Sequence, residues 1–531
     1  MIQLRPFQSD LRQAIYDQWV AGAKNVLAVM PTGAGKTVLF SDIIANTPGA
    51  CVAIAHRQEI VTQISLALAR NEVRHRVIGP KALASACTQL HLMELNRNYV
   101  DPMNRVAVAG VDTLIRMDFE PWFNAVNLVV QDEAHHLLSK NKWGKAQAMF
   151  RNARGLGVTA TPCRADGNGL GRHADGVMDS MVVGPSMRQL IDDGWLTDYR
   201  IFAPPSDLDL RNVPISASGD FSPPKLSEAV HKSHIVGDVV QHYTRIANGK
   251  LGVTFAVDVE AAGEIAGAFK KAGIPAEVVS AKTPDNLRAN ILRRFRNREL
   301  LQLVNVDLFG EGFDLPAIEV VSMARPTQSF SLFAQQFGRA LRPMKGKDHA
   351  IIIDHVGNVH RHGLPDAPRE WTLDRRERRS AKNTDIVIPT RTCPQCTAAY
   401  ERVRKACPYC FYAPEPSGRS SPEEVDGDLY EMSPEALSKL RGEIDPPIRL
   451  PFGAAPEVIG AIKKHHRERE AAQAALRLVM SMWGGKWTVN GDTLSEAQRR
   501  FYHTFGVDVG TAQTLGRKEA EELKKRVEAV L

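Results

Sequence analysis

The chain has 531 residues, 44% of them hydrophobic and 24% charged, with a net charge of +7. It is too long for one hydrophobic core, so about three or four domains are expected. No apolar stretch reaches the roughly 18–20 residues of a membrane span, and MIQLRPFQSD lacks the basic start and apolar run of a signal peptide. A bacterial or phage-infected cytoplasm is therefore the expected compartment. The basic balance suits a partner with a phosphate backbone.

Residues 1–200 alternate short apolar runs with helical stretches: NVLAVM (Asn25–Met30), CVAIA (Cys51–Ala55), RVAVAG (Arg105–Gly110), NLVVQ (Asn127–Gln131) and LGVTA (Leu156–Ala160). Such runs are the signature of parallel strands covered on both faces, an α/β lobe. The first run passes into MPTGAGKT (Met30–Thr37) and then a helical VLFSDIIA. Glycines such as Gly33 and Gly35 let backbone N–H groups turn toward phosphates, and a helix N-terminus adds positive potential. Lys36 would reach the β- and γ-phosphates of ATP and Thr37 would bind Mg²⁺. The strict motif begins with Gly and this one begins with Met30, so a Gly-rich turn with an incidental lysine stays as the alternative. DEAH (Asp132–His135) follows NLVVQ, at a strand's carboxyl end, where open α/β sheets place their ligand chemistry. Asp132 would hold Mg²⁺ and Glu133 would orient and deprotonate water. A plain charged loop is the competing reading.

Residues 201–227, rich in Pro, Ser and Asp, are expected to connect two lobes. A second alternation over residues 228–365 supplies GVTFAV (Gly252–Val257), AEVVS (Ala276–Ser280), LLQLVNV (Leu300–Val306), EVVSMA (Glu319–Ala324) and AIIID (Ala350–Asp354). Within QQFGRALRP (Gln335–Pro343), Arg339 and Arg342 are three apart and so share a helical face. A charged linker, 366–390, leads to CPQC and CPYC. In 391–412, Cys393, Cys396, Cys407 and Cys410 have the spacing of a closed structural Zn²⁺ ribbon. A redox motif would need only one CxxC, in a thioredoxin-like frame. The ribbon's basic and aromatic residues (Tyr400, Arg402, Arg404, Lys405, Tyr409, Tyr412) leave open whether it grips DNA or docks the C-terminal region. After a linker, 413–454, residues 455–531 form a helical module in which Thr493 and Glu496 have capping-box spacing and Gly506 and Gly516 are expected helix stops. The basic runs DRRERRSAK (Asp374–Lys382) and KKHHRERE (Lys463–Glu470) interleave Glu, as solvated helices with internal ion pairs do.

In order and spacing these motifs resemble superfamily 2 helicases of the DEAD/DEAH-box kind, over about Leu4 to Pro343. The resemblance implies two tandem RecA-like parallel-sheet lobes. It makes Gln8, in LRPFQ, an adenine contact. In AHRQEIVTQ and GVDTLIR it makes Arg57, Gln58, Thr113 and Arg116 nucleic-acid contacts. TATP (Thr159–Pro162) would link hydrolysis to strand movement. Gly312 and Asp314, in FGEGFDLP, would approach the nucleotide from the second lobe. Arg339 and Arg342 would be arginine fingers and Gln335 the partner of the hydrolytic water. The function so implied is an ATP-dependent DNA helicase on single-stranded or forked DNA, with 3′-to-5′ travel. Alternatives are a duplex translocase or branch remodeller, an RNA helicase, and a replication or loading factor with a vestigial ATPase. A protein partner through the C-terminal region is also expected.

Overall fold

The structure, a computed structural model, describes residues 3–118, 121–204, 208–216, 218–233, 235–306, 318–375, 388–414 and 456–531. The chain divides into two units, Met1–Asp366 with Trp371–Ser380, and Ala367–Glu370 with Ala381–Leu531.

In the first unit, β1 (Asn25–Val29), β2 (Ala50–Ala55), β3 (Arg76–Ile78), β4 (Val106–Gly110), β5 (Val126–Asp132), β6 (Arg154–Thr159) and β7 (Ser180–Val183) form one sheet in the order β3-β4-β2-β5-β6-β1-β7. Every pair is parallel. β1 and β2 are buried at each position, which requires continuous apolar runs instead of alternation. With all strands running one way, the segments after β1, β2, β4, β5 and β6 leave from the same carboxyl edge.

A second parallel sheet contains β8 (Tyr199–Phe202), β9 (Gly252–Phe255), β10 (Ala276–Ser280), β11 (Gln302–Val306), β12 (Val320–Met323) and β13 (Ala350–Asp354), ordered β10-β11-β9-β12-β13-β8. All ten strands expected from the sequence are present, and β10 and β13 have the expected limits. The three unexpected strands, β3, β7 and β8, are each the end strand of a sheet. They carry charged or exposed residues where the inner strands are apolar. β8 pairs with β13, so the chain has already entered the second sheet at Tyr199, within the segment expected to close the first lobe.

The second unit contains the hairpin β14 (Thr390–Thr392) and β15 (Ala399–Glu401) and the helices Pro456–Val489, Leu494–Phe505, Val509–Ala512 and Arg517–Glu528. Trp483, Phe501, Phe505 and Leu523 lie at the centre of its helical core. Thr493 and Glu496 form the expected capping box, and Gly506 ends its helix in the left-handed conformation at φ +74°. Gly516 does the reverse of what was expected: at φ −67° it opens the last helix, and Glu519 accepts its N–H. The run Lys463–Glu470 is helical, with an ion pair between His466 and Glu470 at 3.1 Å. Most of the other basic run lies outside the described residues.

Hairpin and helices are joined by Arg500, 1% exposed. It reaches Glu401 of β15 at 2.5 Å and Asp492 at 2.9 Å, with its guanidinium 4.0 Å over the Trp487 ring. Arg404 adds a 3.2 Å pair to Asp492, and Glu496 accepts the Lys405 N–H at 2.8 Å. Removing one member of a buried ionic cluster leaves the others uncompensated. Arg500→Leu is therefore expected to lower the second unit's stability by about 3 kcal/mol. Urea unfolding followed by tryptophan fluorescence measures this, and a change near zero would refute the buried-pair account.

In the first unit His75 and His91 are both fully buried around Ser65, with His75 Nε2 2.7 Å and His91 Nε2 3.1 Å from Ser65 Oγ. Burial pulls His75 down to about 4, and burial beside His242 pulls His355 down to about 3. The unfolded chain takes up these protons near pH 6.5, which the fold refuses until far lower pH. The first unit should thus lose stability as pH falls from about 6.5 toward 4. His75→Gln should remove about 1 kcal/mol per pH unit of that slope. Denaturation midpoints across the window read the difference, and parallel slopes would count against it.

Candidate active site

β1 delivers the chain into the glycine-rich loop, and a helix starts at Lys36. Gly33 and Gly35 have φ of +90° and +88°, a region that favours glycine. The helix has no side-chain cap, and uncapped first-turn amides are what an anion recruits. Gln8, 2% exposed, donates Nε2 to the carbonyl oxygens of Ala34 and Gly35 at 2.9 and 3.3 Å, and its Oε1 accepts the Arg5 N–H. Its amide braces the loop from behind, and a Cβ on Gly35 would lie 2.6 Å from its Nε2.

β6 separates β5 from β1, so Asp132, the last residue of β5, leaves the same edge close to Lys36. Asp132 and Glu133 are 7% and 6% exposed. Burial first, then the neighbouring Glu133 charge, push Asp132 up to about 6, while Lys36 pulls the other way. Glu133 sits at φ +49°, a left-handed conformation costing a non-glycine residue about 1–2 kcal/mol. It is held there by its N–H to Asp132 Oδ1 at 2.9 Å and by Gln335 Nε2 donating to its Oε2 at 3.2 Å. Two buried carboxylates beside one lysine, next to a loop hydroxyl at Thr37, are a donor set that fits a hard divalent cation.

From DEAH a polar chain crosses to the second lobe. His135 Nδ1 is 3.1 Å from Thr159 Oγ1, and Thr159 Oγ1 donates to the Thr161 carbonyl. Thr161 donates its hydroxyl to Ser331 at 2.5 Å, and Ser331 donates to the Cys163 carbonyl at 3.1 Å. Ser331 lies in the helix Phe330–Gly338, capped by Ser329. That helix brings Gln335 to Glu133, and its last residue packs on the glycine-rich loop: a Cβ on Gly338 would lie 2.5 Å from Thr32 Cβ. Thr32 Oγ1 and Gln335 Oε1 are buried at this junction without a protein partner among the described residues.

The helix ends at Gly338, so Arg339 is its C-cap and Arg342 lies beyond it. The chain continues through turn bonds from Ala340 to Phe337 and from Leu341 to Gly338, and such turns keep residues three apart on one side. Arg339 is 6% exposed and Arg342 half-buried. Gly312 and Asp314 lie outside the described residues.

Arg57 and Gln58 follow β2, and Thr113 and Arg116 follow β4, on the same carboxyl edge. Arg57 is half-buried, its Nε donating to His56 Nε2 at 3.2 Å, whereas Gln58 and Arg116 are exposed. Sequence reading missed Glu59, which meets Arg288 of the second lobe at 2.6 Å. It also missed Arg164, whose Nη1 donates to the His135 carbonyl at 2.7 Å. Glu59 lies inside AHRQEIVTQ without a role assigned to it, and Arg164 lies just beyond TATP.

In the second unit the four cysteine Sγ atoms lie within 4.8 Å of one another. Each CxxC closes the same way: Thr397 and Phe411, at φ +57° and +59°, donate N–H groups to the Cys393 and Cys407 carbonyls at 2.9 Å. Burial pushes the Cys396 thiol up to about 12; at Cys393 the backbone N–H groups of Cys396 and Gln395 outweigh burial and bring it to about 7. Such a tetrad fits one tetrahedral soft cation. Of the ribbon's basic and aromatic residues, Tyr400 is buried beneath Arg391 and Arg404 is committed to Asp492, while Arg402 and Lys405 are exposed.

A family model described as "Type III restriction enzyme, res subunit" matches residues 1–164, and "Helicase conserved C-terminal domain" matches residues 236–344. A "51.5 kDa protein" of a Lactococcus phage is 33% identical over 383 residues, covering 72% of this chain and 76% of its own length. In Saccharomyces cerevisiae, a protein provisionally named ATP-dependent helicase IRC3 is 30% identical over 67% of this chain and 51% of its own. DNA 3'-5' translocase XPB2 of Sulfurisphaera tokodaii is 24% identical over 67% and 82%. This chain thus spans from 51% to 82% of these relatives. A fragment of a provisional HsdR subunit of a type I restriction enzyme from Vibrio vulnificus shares the fold, with a TM-score of 0.51 at 21% identity over 68% of this chain and 66% of that one. With both helicase domains matched in order, the chain belongs to the superfamily 2 helicases, ATP-hydrolysing enzymes that act on nucleic acid.

Proposed function

We propose that the protein couples ATP hydrolysis to 3′-to-5′ movement along DNA, separating strands at single-stranded or forked sites. The observation that carries this is the 3.2 Å hydrogen bond from Gln335 of the second lobe to Glu133 of the first, made beside the phosphate loop. In this reading Lys36 and the amides around Gly33 and Gly35 hold the phosphates, and Gln8 sets the loop. Thr37 and Asp132 hold Mg²⁺, which would neutralise charge on the phosphate oxygens. Glu133 takes the proton of the attacking water, with Gln335 fixing that water's position through its Oε1, which is buried without a partner among the described residues. Arg339 and Arg342 bring positive charge from the second lobe, and Gly312 and Asp314 approach from the same side. Arg57, Gln58, Thr113 and Arg116 hold the strand by its phosphates, fixing register without reading sequence. Closing and opening of the cleft would then shift the strand.

ATP hydrolysis measured with no nucleic acid, single-stranded DNA, duplex DNA, forked DNA and RNA tests the assignment. Single-stranded or forked DNA should stimulate most. Lys36→Ala should abolish the stimulated rate, and Glu133→Gln should lose on the order of 10²–10⁴-fold in kcat while still binding ATP. Arg339→Ala should lose on the order of 10³-fold or more. A Lys36→Ala protein with full activity would end the motor reading, and preferential stimulation by RNA would redirect it.

In the same reading Cys393, Cys396, Cys407 and Cys410 hold a structural Zn²⁺, and the exposed side of the second unit recruits a protein partner. The phage relative suits a phage-infected bacterial cell as the setting. Purified protein should carry one zinc per chain by elemental analysis. Cys393→Ser with Cys410→Ser should abolish it and expose the second unit to protease while the unstimulated ATPase persists. A wild-type chain without metal, equally protease-resistant, would refute the zinc assignment.

A further inference from the structure

The segment between the lobes contains a tight turn closed by Ser216, Gly219 and Asp220, which the ATPase assignment leaves unused. The Gly219 N–H donates to the Ser216 carbonyl and the Ser216 N–H to the Asp220 carbonyl, at 2.9 and 2.8 Å. On one side the turn meets the first lobe. Gly219, at φ +83°, lies so close to the Ala165–Asp166 peptide that an added Cβ would fall 2.6 Å from Asp166 N and closer still to the Ala165 carbonyl. That peptide is itself fixed, because Asp166 pairs with Arg164 at 2.5 Å and Arg164 donates to the carbonyl of His135.

On its other side the turn meets the second lobe. The Asp220 carboxylate accepts the Gln328 N–H at 2.6 Å and the Thr327 hydroxyl at 2.9 Å. Other polar groups of this entry loop are also engaged. Asn358 Oδ1 accepts the Thr327 N–H at 3.1 Å, His362 Nε2 is 2.9 Å from the Thr327 carbonyl, and Thr327 Oγ1 accepts the Ser329 N–H at 2.9 Å. Ser329 caps the helix that ends in Gln335 and Gly338. Groups paired in this way hold the loop in place.

We propose that Gly219 and Asp220 form a positioning wedge, set between the loop after TATP and the loop before the Gln335 helix, which fixes how deeply that helix meets Glu133. Neither residue touches the reacting atoms. The wedge sets the approach of Gln335 and Arg339, and the glycine-rich loop meets that helix only at its far end, Gly338, so the wedge acts on kcat more than on ATP affinity. It rests on the assignment of Gln335 to the hydrolytic step.

The test compares Gly219→Ala, Asp220→Ala, Asp220→Asn, Gln335→Ala and Lys36→Ala in the full chain, by steady-state DNA-stimulated ATPase and by binding of a fluorescent ATP analogue. Gly219→Ala and Asp220→Ala should each lower kcat on the order of 10-fold to 100-fold, with KM for ATP and analogue affinity within about 2-fold of wild type. Asp220→Asn keeps an oxygen for the Gln328 N–H and an amide for the turned Thr327 hydroxyl, so it should restore most of kcat. Should Asp220→Ala fail to fold, the Asparagine variant and Gly219→Ala decide alone. Wild-type kcat in Gly219→Ala, an Asp220→Asn protein as impaired as Asp220→Ala, or a matching rise in KM would each overturn the wedge. Full activity in Gln335→Ala would instead sink the catalytic assignment beneath it.

Discussion

Two carboxylates packed side by side out of water are unfavourable unless cations or donors reach them, and the first unit is arranged around meeting that demand at Asp132 and Glu133. β5 ends at this pair, and Asp132 rises toward neutrality for lack of solvent. The parallel order β5-β6-β1 sets Lys36 of the glycine-rich loop two strands away, within electrostatic reach. The left-handed turn at Glu133 aims its carboxylate at the second lobe, where Gln335 meets it. The strain of that turn is tolerable only because both its N–H and its carboxylate are bonded. The cleft is therefore shaped by unmet charge as well as by apolar packing.

The fold was legible wherever burial is complete. A strand covered on both faces has to be apolar throughout, so its sequence announces it; a strand at a sheet edge has no such obligation. β3, β7 and β8 carry Arg76, Ser180 and Arg200 within three or four residues, too short and too polar to stand out from loops. The consequence at β8 was a shift of the boundary between the sheets. Gly516 shows a different limit: glycine at a helix end is ambiguous in direction, and only Glu519 three residues later, with capping-box spacing, marks it as a start.

The candidate site could be proposed from the sequence as a list of residues and less so as an arrangement. Glycine-rich loop, acidic pair and arginine pair could be singled out because the chemistry proposed for them demands particular residue types at fixed spacing. That Gln8 spends its amide on the loop backbone, or that Arg342 stands beyond its helix, depends on tertiary contact. Least legible was the turn closed by Ser216, Gly219 and Asp220. Its Gly, Ser and Asp composition suggests an inter-lobe connection, yet composition is silent about which neighbours receive those groups. A linker and a wedge have the same sequence signature, because both need tight turns and polar side chains free of helix or sheet.

The second unit follows another logic. β14 and β15 have three residues each, far below what a core of their own requires. The cysteine tetrad closes the hairpin at one end, and at the other Glu401 of β15 is buried against Arg500. A buried ion pair adds little net stability over an apolar contact, but it tolerates only one docking geometry, since a slipped register would strand a charge. Trp487 under the guanidinium and Arg404 on Asp492 sharpen that preference. Hairpin and helices thus constrain one another: losing the tetrad frees β15, freeing β15 unpairs Arg500, and an unpaired Arg500 is intolerable inside the helical core. A polar contact that the sequence presents as an ordinary basic helix face is what makes the ribbon and the helical module a single unit.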